Sequence, residues 1–440
     1  MNEEASPHPA LLARLLKQAP LRALGALAQL EPGAYTLEGL RPQCVFITEP
    51  SLVELVLADS EQRFRKASLP NHLRWLVGDG TAASGLPRNS EAGWDALRST
   101  KRLAVLPLLA PPSPQSVQDA VGELILKPGL AFDAFGLLYE VFFLLAWRLL
   151  FGREKSPEVM RACRHLRSSA LAVSLALRSS HCCWAPYHDR SLQVDPAWWR
   201  FLPGSRSITL QARRRSLDLL LREILDDAPQ DAEHPSAPFK IRNWSKSVDG
   251  VDPEVAARFA CVGLLFASFE NSAATAAWLL WLLADRPEWQ ERLVACLPST
   301  RQMMWDGCIN EALRLFPPVW SVAREASAAF RWRGRFFASG TVFVVSPWVQ
   351  GRLVAGWTRP NAFQPERWSH LAPPGLFIPF GAGPRACPGA SFALQEIKVV
   401  MASLLSGYRF EAVTERAAPV PLFGQTQRPR GGVWLRAWPR

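Results

Sequence analysis

The sequence lacks the cysteine spacing that a zinc site or a disulfide framework requires. Its eight cysteines stand at positions 44, 163, 182, 183, 261, 296, 308 and 387, and no two of them form a Cys-x-x-Cys pair. Cys182 and Cys183 are adjacent, which is poor geometry for a mutual disulfide. The pattern therefore argues against zinc and disulfide scaffolds, and we expect a reducing cytoplasm as the setting.

Long apolar runs free of charge are also missing. Residues 131–151 contain three charged side chains, and residues 259–284 carry Glu270 near the centre. Because charges in the middle of a membrane are costly, both stretches are predicted to be buried helices of a globular protein. Residues 9–30 form an amphipathic pattern typical of an ordinary domain helix, with a membrane-surface contact as the alternative. We expect neither a signal peptide nor a transmembrane anchor.

The sequence has no internal repeats and no Lys/Arg-rich block with interleaved aromatic residues, although it is basic. Against 39 Asp and Glu stand 50 Lys and Arg, which gives a net charge of +11. This charge suits an acidic partner, but it does not by itself choose among nucleic acid, an anionic surface and an electron-transfer protein. The composition is 48% hydrophobic and 20% charged over 440 residues, enough to bury a sizeable core.

Strand-like segments lie near both ends of the sequence, and helical patterns fill the middle. The strand-like segments are at 44–47, 342–346 and 433–436. Short strands at the ends with helices between them predict a mostly helical α+β fold.

One cysteine lies in a setting that favours its thiolate. Residues 380–389 read Phe-Gly-Ala-Gly-Pro-Arg-Ala-Cys-Pro-Gly, and the apolar helical pattern that follows is predicted to end at Gly407. Cys387 is thus expected at a helix N-terminus, where free amides and the helix dipole favour an anion. Gly383 and Gly389 would let the backbone pass close to whatever the thiolate binds.

This stretch resembles the haem-binding loop of the cytochrome P450 family, Phe-x-x-Gly-x-Arg-x-Cys-x-Gly, at every fixed position. The resemblance implies haem b, iron protoporphyrin IX, as the cofactor and Cys387 as the ligand of its iron. Phe380 and Arg385 would pack against and hydrogen-bond the porphyrin, and Gly389 belongs to the same cofactor-binding loop.

The family's architecture, as the resemblance implies it, is mainly α (α+β), with a large helical domain and a small β-rich lobe. We expect one cytochrome P450 domain over residues 1–440, whose β-rich lobe comes from about 33–66 and 325–350.

Further side chains are implied as partners of the two haem propionates. Trp94 and Arg98 resemble the Trp-x-x-x-Arg of the family's C helix, and a spacing of four puts both on one helix face. Indole N–H and guanidinium groups are suitable donors to carboxylates, although an amphipathic surface helix explains the pair equally well. By resemblance, Arg324 also contacts a propionate.

Two more motifs resemble family segments on the way to the cysteine loop. Glu311 and Arg314 match the Glu-x-x-Arg of the K helix, and Arg367 lies in a Phe-x-Pro-Glu-Arg-Trp segment. The resemblance implies that the three form a buried ion network, because one carboxylate can accept hydrogen bonds from two guanidinium groups. The substrate-lining residues implied in the same way are Ala267, Val319, Trp320 and Val322.

A long helix is predicted in the second half of the sequence. Asp252, Pro253 and Glu254 supply an N-cap, a proline at N1 and an acid in the first turn. The pattern continues to Ala284, so the helix would be about 48 Å long. It resembles the family's I helix.

Within this helix the sequence departs from the family. Residues 267–272 read Ala-Ser-Phe-Glu-Asn-Ser, where the family has Ala-Gly-x-Glu/Asp-Thr-Thr. Asn271 replaces the threonine that helps to deliver protons during oxygen activation, and Ser268 replaces the glycine. Glu270 is kept as a possible acid, so Glu270 and Asn271 are the candidate catalytic residues.

Asparagine donates hydrogen bonds but is not a ready proton relay. Three interpretations stay open for Asn271: it binds a polar substrate group, a water or substrate hydroxyl takes over the relay, or oxygen activation is atypical. A structural alternative is that Glu270 and Asn271 satisfy backbone groups at a helix kink.

The resemblance implies a haem-thiolate monooxygenase that hydroxylates or otherwise oxidises a mainly apolar small molecule with O2. Its electrons would come from an acidic ferredoxin or flavodoxin with its reductase, steered by the basic charge. The alternative, motivated by Asn271, is rearrangement, dehydration or peroxide-dependent oxidation on the same fold, and a haem-binding sensor without turnover is a third hypothesis. We expect a soluble, bacterial-type, monomeric, cytoplasmic enzyme of secondary metabolism that binds no nucleic acid.

Overall fold

A computed structural model describes the greater part of the chain. The described residues are 16, 19–37, 43–58, 63–66, 115, 117, 126–152, 155–167, 219–226, 237–246, 253–296, 298–370, 372, 375–424 and 426–440.

Helices make up most of the described structure. They are α1 (Pro20–Gln29), α2 (Pro50–Leu57), α3 (Ala134–Phe151), α4 (Ala237–Ser245), α5 (Pro253–Ala284), α6 (Pro287–Ala295), α7 (Pro298–Leu315), α8 (Pro347–Gln350) and α9 (Ala390–Gly407), with 3-10 turns at Pro365–Ser369 and Gly383–Arg385. Residues 157–167 and 219–226 are also helical.

Short strands complete the fold. They are β1 (Ala34–Leu37), β2 (Cys44–Ile47), β3 (Phe64–Lys66), β4 (Phe132–Asp133), β5 (Val322–Ala326), β6 (Phe330–Trp332), β7 (Arg335–Phe337), β8 (Val342–Val345), β9 (Tyr408–Ala412), β10 (Val420–Phe423), β11 (Gln427–Arg430) and β12 (Trp434–Pro439).

The core is built around α3 and α5, which pack along each other. Asp133 caps α3 by accepting a hydrogen bond from the backbone N–H of Phe135, and Gly152 ends the helix in the left-handed conformation. Phe269 of α5 makes edge contacts with the ring of Tyr139, 4.9 Å away between centroids, and with a second aromatic ring of α3. Because α3 is apolar on nearly all sides, it is buried on nearly all sides.

The α3 helix is also long and apolar enough to cross a membrane by length and composition. Within the described part of the chain it is the one helix of which this is true. In the protein, 78% of it is buried, as in the core helix of a globular protein.

The largest sheet has the strand order β1-β2-β8-β5-β3. Its β2 and β8 strands run parallel, and the other neighbouring pairs are antiparallel. All four residues of β8 are buried, as expected of a central strand. The β5 strand lies between β8 and β3, and this position buries Arg324 within the sheet.

Two smaller sheets bring the end of the chain against the long helix. In one, β12 pairs with β4 and β9. In the other, β10 and β11 form a hairpin in which Phe423 pairs with Gln427. The backbone N–H of Gln427 donates to the carbonyl oxygen of Pro318 at 2.8 Å, and β11 contacts α5, so the hairpin turn lies beside the middle of that helix.

Candidate functional site

The residues that precede α9 form a tight loop. The backbone N–H of Cys387 donates to the carbonyl oxygen of Phe380 at 2.8 Å, and that of Ala386 donates to Gly383 at 3.0 Å. Gly381 and Gly383 have positive φ angles of 70° and 66°, which side chains with a Cβ rarely adopt. These bonds fold residues 380–387 back on themselves and place the cysteine at the end of the loop.

The Cys387 loop is packed against the end of α2. A Cβ added to Gly383 would lie 2.5 Å from the Cα of Ala58 and 2.5 Å from the carbonyl oxygen of Leu57. Gly389 is the residue that caps α9, and the position of its missing Cβ is 4.0 Å from the Cys387 sulfur. Glycine is therefore required at 383 for the close approach of two backbone segments.

Cys387 is the exposed cysteine among those that the structure describes. The others are buried, and burial raises the pKa of the Cys44 and Cys261 thiols to about 12. A buried thiol in such surroundings stays protonated and inert. Among the described cysteines, Cys387 is thus accessible and lies just before the N-terminus of α9, whereas the others are packed in the interior.

Two arginines lie near each other beside this loop. Arg324 of β5 is buried, and its pKa is lowered to about 10 by burial and by the positive charge of Arg385. Within the described residues, the side-chain bond of Arg324 goes to the neighbouring carbonyl oxygen of Ala323, at 3.0 Å, and no carboxylate is within ion-pair distance of it. Two mutually repelling guanidinium groups form a site for a ligand with negative charge.

The donor set fits haem. A haem needs an axial thiolate, backbone that can approach a flat ring, and cations for its propionates. The Cys387 loop supplies an accessible sulfur and glycines, and Arg324 and Arg385 supply the cations. Phe380 is half-buried and packs on the main apolar core at the same loop. Trp94 and Arg98 lie outside the described residues.

The structure brings Glu311, Arg314 and Arg367 together in a buried network. Arg314 donates from Nε to Oε2 of Glu311 at 2.8 Å and from Nη2 to Oε1 at 2.7 Å. Arg367 donates from Nε to the same Oε1 at 3.0 Å, and Trp368 donates from its indole to Oε2 at 3.0 Å. The remaining donors of Arg314 bind backbone carbonyl oxygens, among them that of Gly351. Every oxygen of the carboxylate is therefore matched by donors, the condition under which a buried charge is tolerated.

The middle of α5 contains a run of hydroxyl side chains that bind their own helix. Ser268 donates to the carbonyl oxygens of Leu264 and Leu265, both at 2.9 Å, and Thr275 donates to that of Asn271 at 2.9 Å. Such back-bonding is known to bend helices. The Ser268 hydroxyl, which stands where the family has a glycine, therefore already donates its proton within the helix.

Glu270 is held in a buried ion pair. Its Oε1 lies 3.7 Å from Nη1 of Arg428 on β11, and both side chains are almost fully buried. Burial raises the pKa of Glu270, and the charge of Arg428 and the neighbouring Thr426 hydroxyl oppose the rise. The Oε2 oxygen is buried without a hydrogen-bond donor. The carboxyl group can therefore hold a proton more readily than an exposed glutamate can.

Asn271 lies beside this pair. The hydroxyl of Thr426 donates to its Oδ1 at 3.5 Å, a long bond, and Asn271 itself is only half-buried. The β10–β11 hairpin thus contacts both candidate catalytic residues, through Thr426 in its turn and Arg428 on β11.

Sequence reasoning missed the hairpin residues and one further acid. Thr426 and Arg428 carry no local motif, and only the pairing of β10 with β11 brings them to α5. Glu396 of α9 is fully buried, neither of its oxygens has a donor in good hydrogen-bond geometry, and burial raises its pKa to about 8, a rise that the nearby Ser272 hydroxyl opposes only in part. Its position four residues after Phe392, on the apolar face of the helix, was a readable signal.

The predicted substrate-lining residues fall into two environments. Ala267 and Val319 are exposed, and Val322 is half-buried. Trp320, in contrast, is buried, donates from its indole to the carbonyl oxygen of Gly424 at 2.8 Å, and contacts the ring of Phe423. Trp320 therefore packs beneath the β10–β11 hairpin.

A long core helix, a small β-rich lobe and an accessible cysteine before a second core helix fit a haem-thiolate protein. Comparison with known proteins agrees. Residues 254–432 match the family model of cytochrome P450. CYP175A1 from Thermus thermophilus is 23% identical, with a TM-score of 0.69 over 97% of this chain and 96% of that chain. A zebrafish cytochrome P450 solved with abiraterone is 19% identical, with a TM-score of 0.72 over 99% of each chain.

Curated proteins match over shorter stretches. Thromboxane-A synthase of Sus scrofa is 30% identical over 240 residues, which are 50% of this chain and 44% of that protein. Probable cytochrome P450 4aa1 of Drosophila melanogaster is 34% identical over 195 residues, 40% of this chain and 38% of that protein. The chain thus matches less than half the length of these two relatives.

The expected mainly helical fold with its β-rich lobe is confirmed by the solved structures. Residues 254–432 match the cytochrome P450 family model, and the chain has the cytochrome P450 fold. Proteins of this family and fold are haem-thiolate proteins that carry haem b.

Proposed function

We propose that this protein is a haem-thiolate monooxygenase that oxidises a mainly apolar small molecule with O2. One observation carries the proposal: the accessible Cys387 sulfur lies before a core helix, in a glycine loop next to the Arg324–Arg385 pair. The matched family model includes this loop together with the acid-bearing middle of α5.

The residues that would hold the haem follow from the fit described above. Cys387 would ligate the iron, and Arg324 and Arg385 would bind the propionates. Phe380 and Gly389 would contact the ring, and Trp94 and Arg98 stay propionate partners by resemblance. When bound, the haem supplies the oxidative chemistry, and its thiolate ligand favours O–O cleavage.

Side chains of α5 and of the β10–β11 hairpin would take up and release a proton. Burial keeps the pKa of Glu270 raised, so its unpartnered Oε2 can carry a proton into a site that excludes water. Arg428 limits the rise by stabilising the carboxylate, which lets the group lose the proton again. Asn271, held from one side by Thr426, has amide N–H groups with which it can orient a polar group of the substrate.

The electron donor belongs to the proposal as well. A net charge of +11 supports an acidic ferredoxin or flavodoxin, with its reductase, as the partner. We keep the further expectation of a soluble, bacterial-type, monomeric enzyme of the cytoplasm, in secondary metabolism. The two curated relatives named above are animal proteins, and the likeness to the Thermus and zebrafish structures concerns the fold alone.

The ferrous carbon-monoxide spectrum tests the assignment. Purified protein should show the strongly red-shifted Soret band of thiolate ligation, and Cys387→Ser should lose that band. Cys296→Ser is the matched control, because this cysteine is buried away from the loop and donates to the carbonyl oxygen of Leu293. A histidine-type band in the unaltered protein would refute the proposal.

Asn271 supports a second candidate, namely rearrangement, dehydration or peroxide-dependent oxidation. Its amide oxygen accepts from Thr426 and provides no hydroxyl for a relay. Turnover should then occur with peroxide and no reductant, and Asn271→Thr should shift the requirement toward O2 and reductant. If unaltered protein needs reductant, O2 and a redox partner for every turnover, the second candidate is lost.

A further inference from the structure

A cavity lies outside the cysteine loop and away from the middle of α5. It has a volume of about 420 Å3, within the size range of small-molecule sites. Its walls come from α1, from Phe316 just after α7, from α8 and the turn that follows it, and from β10. None of its described lining residues belongs to the Cys387 loop or to residues 267–272.

The cavity has a buried cation in its wall. Arg352 is only 6% exposed, and its Nη1 is buried without a hydrogen-bond acceptor. Its guanidinium lies over the ring of Trp348, 3.9 Å from the centroid, and 5.5 Å from that of Phe316. Within the described residues, no carboxylate forms an ion pair with it.

The surroundings of Arg352 do not compensate its charge. Its pKa is lowered to about 9, first by burial and then by the neighbouring Arg314, and Glu311 opposes this only in part. Glu311 is already saturated by donors from Arg314, Arg367 and Trp368. A buried guanidinium without an anion costs free energy, and a carboxylate bound next to Arg352 would offset that cost.

A second donor in the same wall also lacks an acceptor. The indole N–H of Trp348 is buried and unpaired, and Trp348 is 5% exposed. Most of the other lining residues are apolar, among them Gly25 and Ala28 of α1 and Pro421, and the exposed Gln29 and Asn361 add polar groups. A site with buried unpaired donors and apolar walls suits a ligand with an acidic head and an apolar body.

We propose that this cavity binds a small carboxylic acid with an apolar body, whose carboxylate pairs with Arg352. Inorganic anions lack the apolar part that the α1 and proline walls would bury, and alcohols lack the charge that Arg352 needs. The site is distinct from the substrate chamber of the proposed monooxygenase, and its test does not depend on turnover.

Calorimetric titration of the haem-loaded protein with octanoate tests the site. We expect octanoate to bind, and octanol and inorganic phosphate each to bind at least about tenfold more weakly, which is about 1.4 kcal/mol. Equal binding of octanol would overturn the role of the charge, and full competition by phosphate would overturn the role of the apolar walls.

Two variants locate the binding. Arg352→Met should weaken octanoate at least tenfold, since it removes the cation and keeps a long apolar side chain. Because this change could affect folding beside the Glu311 network, Gly25→Leu serves as the second variant. A Cβ added at Gly25 meets nothing within 4 Å, so leucine would fill the cavity without a clash and should abolish octanoate binding.

Gly407→Leu is the matched control. Gly407 also has open space around an added Cβ and lies at the end of α9, outside the cavity. The Gly407→Leu variant should bind octanoate as the unaltered protein does. Unchanged binding in Gly25→Leu, with the Soret spectrum shifting on addition of octanoate, would place the acid in the haem chamber and refute the proposal.

Discussion

Three of the buried glutamates that the structure describes differ in how fully their charge is compensated. Glu311 receives donors on both oxygens and is ion-paired twice. Glu270 has one distant cation and one oxygen without a donor. Glu396 has no ion pair within the described residues, and neither of its oxygens has a donor in good hydrogen-bond geometry. The series runs from a charge that supports structure, through one poised to exchange a proton, to one that is stable mainly in its neutral form.

Glu396→Gln should stabilise the protein at high pH. The pKa of Glu396 is raised from 4.5 to about 8, so the folded state binds the proton more tightly than the unfolded state does. The stability this provides is complete below about pH 4.5 and is lost as the pH rises through about 8, a loss of up to about 5 kcal/mol. Urea unfolding at pH 5 and pH 9 should show the advantage of the glutamine variant growing by several kcal/mol.

The control for this series is Glu54→Gln on α2. Glu54 is exposed, so this variant replaces a glutamate without altering a buried carboxyl group. Parallel stability curves for the Glu396 variant and the unaltered protein would show that Glu396 is not neutral at pH 7.

Among the elements, the Cys387 loop depends on how closely it docks on α2. Gly383 has φ of +66°, and its backbone faces the carbonyl oxygen of Leu57 and the Cα of Ala58. The loop's own hydrogen bonds fix its shape, but the contact with α2 fixes where that shape is held. A shift of this contact would move Cys387 relative to the Arg324–Arg385 pair.

Gly383→Ala should destabilise the protein and lower its haem retention. The left-handed conformation costs about 1–2 kcal/mol for alanine, and overpacking against backbone adds roughly 1–3 kcal/mol. Gly152→Ala has nearly the same φ, +63°, but open space around its Cβ, so it should show the first cost alone. Urea unfolding measures the loss of stability, and the ratio of Soret to protein absorbance measures haem retention. Equal losses in the two variants would mean that the docking contact is unimportant.

Glu311→Ala should prevent stable haem incorporation. It leaves the buried guanidinium groups of Arg314 and Arg367 without their anion, which typically costs about 3–5 kcal/mol, and it releases Pro365–Ser369 from α7. Glu366→Ala is the control, because it removes an exposed pair with Arg292 worth at most about 1 kcal/mol. A Glu311→Ala protein with full haem content would contradict the role assigned to the network.

A part of this site can be predicted from the sequence when the residues that determine it are close together in the chain. The capping residues and the apolar pattern of α5 are local in the sequence, and the helix spans Pro253–Ala284, the bounds that the sequence predicts. The cysteine loop was readable because its glycines, proline and cysteine are adjacent. Arg428 was not, because its meeting with Glu270 depends on a hairpin that returns to α5 from 158 residues further along the chain. Burial of Trp320 likewise depends on Phe423, which no local pattern could reveal.

On the scale of the whole molecule, charge is the property that the sequence determines without reference to the fold. A net charge of +11 is spread over a chain whose apolar clusters occupy the helical body and both sides of the five-stranded sheet. Such a charge would raise the local concentration of an acidic partner. Four arginines of the described residues are buried. Arg314 and Arg428 are paired with glutamates, whereas Arg324 and Arg352 are candidates for holding an anionic ligand.

The rate at which an acidic ferredoxin delivers its electron should fall steeply with ionic strength. Electrostatic steering raises association rates by roughly 10- to 1,000-fold, and the Debye length shrinks from about 30 Å at 0.01 M salt to about 8 Å at 0.15 M. Stopped-flow reduction of the haem, followed over this salt range, should slow by at least about tenfold. Sucrose at matched osmolarity should have little effect, because it does not screen charge. A rate independent of salt would show that the positive charge does not guide the electron donor, and the acidic partner would have to be abandoned in favour of a neutral one.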